Sequence, residues 1–187
     1  GRPVVVLLWS GRPLVATRIF AAADAVLAAW LPCHGAGEAI AALLAGAADP
    51  AGRLPISWPA SIGQIPVFYA HRPTGRPYAG GAPFTTRYLD APLEPLFPFG
   101  HGLSYADIRV LSARAMTDVV RAGKRVRVEV EVEKVSTRDG AQALYLFVRR
   151  PVAPVTQPVL QLRRLLRPRV PAGGRTTVVF DLAANDL

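Results

Sequence analysis

Apolar and polar residues alternate strictly between positions 126 and 133. Val126, Val128, Val130 and Val132 are interleaved with Arg127, Glu129, Glu131 and Glu133. A period of two predicts a strand with one buried face and one solvated face. Ala143–Val148 is a second strand-like run, more fully apolar, and Leu160–Leu166 a weaker third. Thr176–Leu182 is a fourth, after the turn Pro171-Ala172-Gly173-Gly174, and Arg109–Ala115 suits an edge strand. Short strands punctuated by turn residues predict a β-sandwich for the second half of the chain.

The first half carries a different pattern. Residues 4–9 are a continuous apolar run between Pro3 and Ser10-Gly11-Arg12-Pro13, as expected of a strand covered on both faces. Ala25–Leu31 ends at Pro32 and suits a second strand, with helix as the alternative because alanine favours it. Between Gly37 and Leu44, the spacing of Ile40, Leu43 and Leu44 has the helical period. Glu38 in the first turn complements the helix dipole, and Gly46 is a natural terminator. The turn Asp49-Pro50-Ala51-Gly52 leads into a strand-like Arg53–Trp58.

Residues 59–100 hold Pro59, Pro66, Pro73, Pro77, Pro83, Pro92, Pro95 and Pro98, which exclude regular structure. The aromatics Phe68, Tyr69, Tyr78, Phe84 and Tyr88 predict that this segment packs on a surface. It ends in Phe97-Pro98-Phe99-Gly100-His101-Gly102-Leu103-Ser104-Tyr105, where α/β patterning gives way to β patterning and the apolar rings require burial.

That junction resembles the Pro-Leu-Tyr-Pro-Phe-Gly-Tyr-Gly-Leu-Ser-Tyr segment of bacterial family 3 glycoside hydrolases, the β-glucosidase/β-xylosidase group. Here Phe97 and His101 stand where tyrosine is commoner. Three other stretches agree in the same order. Trp30–Pro59 is similar to the family's carboxy-terminal α/β segment, most closely at Pro50-Ala51-Gly52-Arg53-Leu54-Pro55. Its loop departs, because Cys33-His34-Gly35-Ala36-Gly37 replaces Gly-Gln-Glu-Gly-Gly and the usual glutamate is absent. Ile62–Tyr69 with Thr74-Gly75-Arg76-Pro77, and Arg87-Tyr88-Leu89-Asp90, resemble further family segments. Leu144–Leu182 follows the order of the family's fibronectin type III-like domain. The resemblance implies an α/β fragment, the C-terminal part of an α/β sandwich, followed by an all-β fibronectin type III/immunoglobulin-like sandwich. Its boundaries would be 1–60, an ordered connecting loop at 61–103, and 104–187.

Composition narrows the partners. At 187 residues, 51% hydrophobic and 19% charged, the chain suits one large or two small globular domains. A single cysteine, Cys33, excludes an internal disulfide framework. The net charge of +9 comes almost wholly from arginine, Lys124 and Lys134 being the only lysines. Such arginine dominance with abundant alanine reads as genomic base composition, so no nucleic-acid partner is expected. Asp24, Pro32, His34 and Glu38 interrupt the alanine-rich stretch 19–48 well short of a membrane span. No signal peptide or initiator methionine is visible, and the chain reads as a fragment whose sheet exposes an apolar edge at Val4–Leu8.

Candidate chemistry is sparse. Retaining glycosidases use two carboxyl groups about 5–5.5 Å apart, one as nucleophile and one as acid/base. The resemblance implies that the nucleophile lies in an N-terminal barrel domain missing here. The acid/base glutamate would lie upstream of the strand at Val4, so neither catalytic group is expected in this chain. Asp24, Glu38 and Asp49 suit capping or turn positions, and Glu129, Glu131 and Glu133 answer Arg127 and other arginines. Arg76, Tyr78, Arg87, Tyr88 and Asp90 are the candidates for the rim of a sugar pocket, because carbohydrate sites combine arginine, carboxylate and aromatic platforms. Their bland reading is packing of a loop between domains. Gly35-Ala36-Gly37 lacks the third glycine of a dinucleotide loop, with Ile40 in its place. Cys33, His34, His71 and His101 lack metal-ligand spacing, and Ser104 lies outside a nucleophile elbow. No metal or cofactor is expected. Arg149, Arg150, Arg163, Arg164, Arg167 and Arg169 form a basic cluster.

The expected function is that of the C-terminal portion of a retaining β-glycosidase, β-glucosidase-like, acting on an oligosaccharide or glycoside and inactive by itself. The alternative is a non-catalytic polysaccharide- or partner-binding module. Relatives of this kind imply a periplasmic or secreted location.

Overall fold

The computed structural model of the protein describes residues 1–138 and 140–187, and the chain divides into two compact units. The first comprises residues 1–41, 54–69 and 73–101. It opens with β1 (Val5–Trp9), α1 (Thr17–Ala22), β2 (Ala25–Trp30) and α2 (Ala36–Leu44), whose last turn belongs to the second unit. β1 and β2 pair in parallel, with Val6 opposite Val26 and Leu7 opposite Leu27. Asp24 fixes the start of this pairing. Its carboxylate accepts the Val4 N–H at 2.7 Å, and its own N–H donates to the Val4 carbonyl at 3.0 Å. The second apolar run is therefore strand rather than helix, as β-branched Val26 and the partner strand outweigh alanine's helical preference.

Beyond α2, prolines prevent a long ladder. Arg53–Trp58 is not a strand. It keeps only the pairs its prolines leave: Leu54 N–H to the His101 carbonyl at 2.8 Å, Gly100 N–H to the Leu54 carbonyl at 2.8 Å, and an antiparallel bridge between Trp58 and Phe97. Trp58 is only 2% exposed. Its indole N–H donates to the Leu14 carbonyl at 2.7 Å, and its ring meets Phe20 edge-on at 5.5 Å and Trp30 at 5.8 Å. Phe97 packs on Phe20 and stacks with His101. This aromatic cluster is the core of the first unit.

The second unit comprises residues 42–53, 70–72 and 102–187. β3 (Ile108–Ala115), β4 (Arg125–Lys134) and β7 (Arg175–Ala183) form an antiparallel sheet in that order, and β5 (Leu144–Val148) pairs with β6 (Gln161–Leu166). Strand alternation turns Val126, Val130 and Val132 inward, and Val130, Val132, Val178, Phe180, Leu144 and Val170 share one core. The unit is built mostly of strand, as the period of two predicts, and β3 lies at the edge of its sheet. The turn at Pro171–Gly174 closes with Gly174 N–H on the Pro171 carbonyl, and Gly173 has φ 65°, which glycine adopts without a Cβ penalty. On the other face of β4, Glu133 accepts from Arg175 at 2.9 Å, with Glu131 3.9 Å from it. The three glutamates of β4 are half-buried rather than fully solvated, and the arginine that answers Glu131 and Glu133 comes from β7.

Candidate functional site

The segment between Trp58 and Phe97 positions all five candidate rim residues, and one buried amide anchors it. Gln64 is 1% exposed and closes the short 3₁₀ turn Ile62–Gln64. Its Oε1 accepts the Ala60 N–H at 2.6 Å and the Ser61 N–H at 3.4 Å. Its Nε2 donates to the carbonyls of Pro92 and Glu94 at 2.6 and 3.0 Å. One glutamine thus ties the two ends of a 30-residue excursion that has no ladder of its own, using every hydrogen-bonding site of its amide.

Within the excursion, the Thr86 N–H donates to the Arg76 carbonyl at 2.8 Å, and the hydroxyls of Thr74 and Thr86 lie 2.8 Å apart. Arg76 is therefore brought to the chain segment that carries Arg87. Tyr78, Tyr88 and Asp90 lie on the same excursion. All five residues are exposed. Among the described residues, none of their side chains makes a hydrogen bond or ion pair, so two guanidinium forks, two phenols and a carboxylate stand without protein partners. The expected packing of the loop aromatics is only partly met. Tyr69 lies against Phe99 at 4.6 Å, but Phe68, Tyr78 and Tyr88 are exposed and Phe84 is 84% so. Leu89 is 92% exposed.

The junction residues do a different job. Within the second unit, the Asp49 carboxylate accepts the Ser104 hydroxyl and the Tyr105 N–H, each at 2.7 Å, and the Ala141 N–H at 3.3 Å. Arg53 donates to the carbonyls of Pro50, Gly52 and Leu103 and, at 2.6 Å, to Gln142 Oε1. Burial pushes the Arg53 pKa down, against the attraction of Asp49. Gly140 lies so close that a Cβ there would stand 2.6 Å from the Ala106 Cβ and 2.8 Å from Asp49 Cγ. Ser104 is therefore committed to a carboxylate that fixes the backbone, and Asp49 acts as a staple. The Tyr105 ring is not buried as expected; it is exposed, and its hydroxyl donates to the Leu43 carbonyl at 3.0 Å. Sequence reasoning did not single out Gln64 or Arg53. The available signal was a polar side chain set among apolar residues and prolines, at Ile62-Gly63-Gln64-Ile65-Pro66 and Gly52-Arg53-Leu54-Pro55.

Residues 1–105 match the family model described as Glycosyl hydrolase family 3 C-terminal domain. The chain belongs to glycosyl hydrolase family 3. It is 39% identical over 184 residues to a periplasmic beta-glucosidase of Salmonella typhimurium, covering 97% of this chain and 24% of that protein. It is 32% identical over 187 residues to a beta-xylosidase of Formosa agariphila, covering all of this chain and 25% of that one. Among solved structures, the beta-glucosidase from Listeria innocua in complex with isofagomine superposes with a TM-score of 0.93 at 35% identity, over 100% of this chain and 26% of that chain. The likeness runs past residue 105 through the β unit, and the chain spans about a quarter of the length of the curated relatives it matches. Among the described residues, no helix is long and apolar enough to cross a membrane.

Proposed function

We propose that this chain is the C-terminal portion of an exported retaining β-glycosidase that removes terminal β-linked glucosyl or xylosyl units. The observation that carries the proposal is the likeness, along nearly the whole of this chain, to beta-glucosidases and a beta-xylosidase, of which it covers only about a quarter. In this reading residues 1–60 complete an α/β domain, 61–103 connect it, and 104–187 form a fibronectin type III-like sandwich. The nucleophile and the acid/base belong to an N-terminal barrel and the segment after it, outside this chain. Several acids here are already committed to structure: Asp24 and Asp49 to backbone N–H groups, Asp107, Asp181 and Asp186 to arginines, and Glu133 to Arg175.

The rim residues Arg76, Tyr78, Arg87, Tyr88 and Asp90 would bind rather than react. A carboxylate accepts sugar hydroxyls, a guanidinium donates to them, and a phenol ring covers the apolar face of a pyranose. Their substitution in the complete enzyme should raise KM more than it lowers kcat, because they touch parts of the sugar away from the broken bond. The test has two arms. The 187-residue chain alone should not hydrolyse an aryl β-glucoside or an aryl β-xyloside. The complete enzyme should hydrolyse one of them, with Asp90→Asn and Arg87→Ala raising KM. Turnover by the chain alone would overturn the assignment of the catalytic carboxyls, and unchanged KM in both variants would overturn the rim.

A further inference from the structure

Among the described residues, two that are not glycine adopt the left-handed backbone region, Trp30 at φ 56° and Phe84 at φ 62°. That region crowds Cβ against the backbone and is uncommon for a bulky side chain. Such a conformation persists only where the surrounding structure enforces it. At Trp30 packing accounts for it: the residue ends β2, is half-buried, and its ring meets the buried Trp58 at 5.8 Å. Phe84 has no such return. It is 84% exposed, and among the described residues no ring or cation lies against it.

Local bonds hold Phe84 in this conformation. The Ala82 N–H donates to the Ala79 carbonyl at 2.9 Å, and the Thr85 hydroxyl donates to the Ala82 carbonyl at 2.9 Å. Pro83 fixes the backbone just before it, and the Thr86 N–H closes the loop on the Arg76 carbonyl at 2.8 Å. Phe84 is thus set inside a closed loop, 76–86, that also carries Tyr78 and has Arg76 and Arg87 at its neck. Glycine would make the same turn without strain, as Gly80 and Gly81 do in this loop at φ 47° and 92°. Phenylalanine instead strains the backbone and leaves an apolar ring in water, so neither the turn nor the core of this unit accounts for it. We propose that Phe84 is the aglycone platform of the complete enzyme, its ring lying under the sugar that leaves when the terminal β-linked unit is cut. The inference rests on the β-glycosidase reading given above and adds a residue and a position to it. The ring has no polar atom, so it offers no hydrogen bond that selects one sugar. Its flat apolar face meets the C–H groups of a pyranose, and such stacking tolerates different sugars. That suits the leaving sugar, which varies between substrates. The terminal unit must instead be held in one orientation at the catalytic carboxyl groups.

Two substrates of the complete enzyme separate this role from a structural one. Cellobiose presents a leaving sugar and β-glucosyl fluoride presents none; for a xylosyl-specific enzyme, xylobiose and β-xylosyl fluoride take their place. Phe84→Ala should lower kcat/KM for the disaccharide about three- to tenfold and leave that for the fluoride nearly unchanged, whereas Phe84→Trp should preserve both. Leu89→Ala, which removes another bare apolar side chain from the same excursion, should change neither. Glycine gives a second readout. Phe84→Gly and Phe84→Ala remove the same ring, but only glycine relieves the backbone. In the 187-residue protein, followed by tryptophan fluorescence, Phe84→Gly should therefore melt roughly 2–8 °C above Phe84→Ala. Equal loss on both substrates, no loss on the disaccharide, the same loss in Leu89→Ala, or coincident melting of the glycine and alanine variants would each overturn the proposal. So would a changed oligomeric state of Phe84→Ala with unaltered kinetics, which would make the ring an interface plug. Those outcomes leave the β-glycosidase reading intact, whereas an enzyme that hydrolyses neither substrate would overturn that reading and this inference with it.

Discussion

Gln64→Leu isolates what holds the candidate rim in place. Leucine fills similar space but removes the acceptor of the Ala60 N–H at 2.6 Å and the donor to the Pro92 and Glu94 carbonyls at 2.6 and 3.0 Å. Each such bond contributes about 1 kcal/mol net, and a stranded buried donor costs about 1–3 kcal/mol. Pro92 and Glu94 are exposed and their carbonyls regain water, whereas the half-buried Ala60 N–H recovers less. Buried leucine offsets part of the loss, leaving about 3 kcal/mol. At about 4–8 °C per kcal/mol for a unit of fewer than about 100 residues, the first unit should melt about 12–24 °C lower. All three tryptophans, Trp9, Trp30 and Trp58, lie in that unit, so tryptophan fluorescence reports its melting alone. Gln64→Glu keeps the shape and the acceptor but turns a carboxylate toward the two carbonyls, and should cost at least as much. Local release has its own readout. Arg87 is the only arginine of the excursion not followed by proline, so trypsin cleavage after it should accelerate. A melting point within about 1 °C of the unsubstituted protein, together with unchanged cleavage, would refute the anchoring role.

Gly140→Ala should destabilise the second unit by about 1–3 kcal/mol, because its Cβ meets Ala106 and Asp49 with no room to move, and circular dichroism of the strands would read the loss. Asp49→Ala should cost about 2–4 kcal/mol through the three donors it leaves, and a neutral effect of either change would contradict the staple. The Ala183 N–H, and after it Arg164, hold the Asp186 carboxyl below the usual carboxylate range. Its stabilisation is therefore complete above the unfolded pKa and disappears as pH falls through the folded one. Asp186→Asn should flatten the decline in melting temperature below about pH 4, and an unaltered decline would discount the Ala183 and Arg164 contacts.

The strands were legible because their patterns are set by burial on one face: Val126–Val132 alternates in sequence and its inward valines form the core. α1 was not. Thr17–Ala22 is six residues without a capping side chain, too short to carry a period. Arg53–Trp58 alternates Leu54, Ile56 and Trp58 and so imitates a strand, but Pro55 and Pro59 remove donors and reduce the ladder to isolated pairs. The rim candidates could be named from residue type, and the structure adds the pairing of Arg76 with Thr86 that brings their segments together. The staples at Gln64, Asp49 and Arg53 were illegible, because their long-range partners lie 28 to 92 residues away and are mostly backbone groups, which sequence does not distinguish.

The most direct test of the central claim is hydrolysis of an aryl β-glucoside by the native protein that contains this chain, purified from its source and weighed intact. The account predicts activity in a species about four times the 20.0 kDa of this chain, and none in the 187-residue chain itself. Activity that travels with a 20.0 kDa species would place both catalytic carboxyl groups among the residues described above and contradict the account.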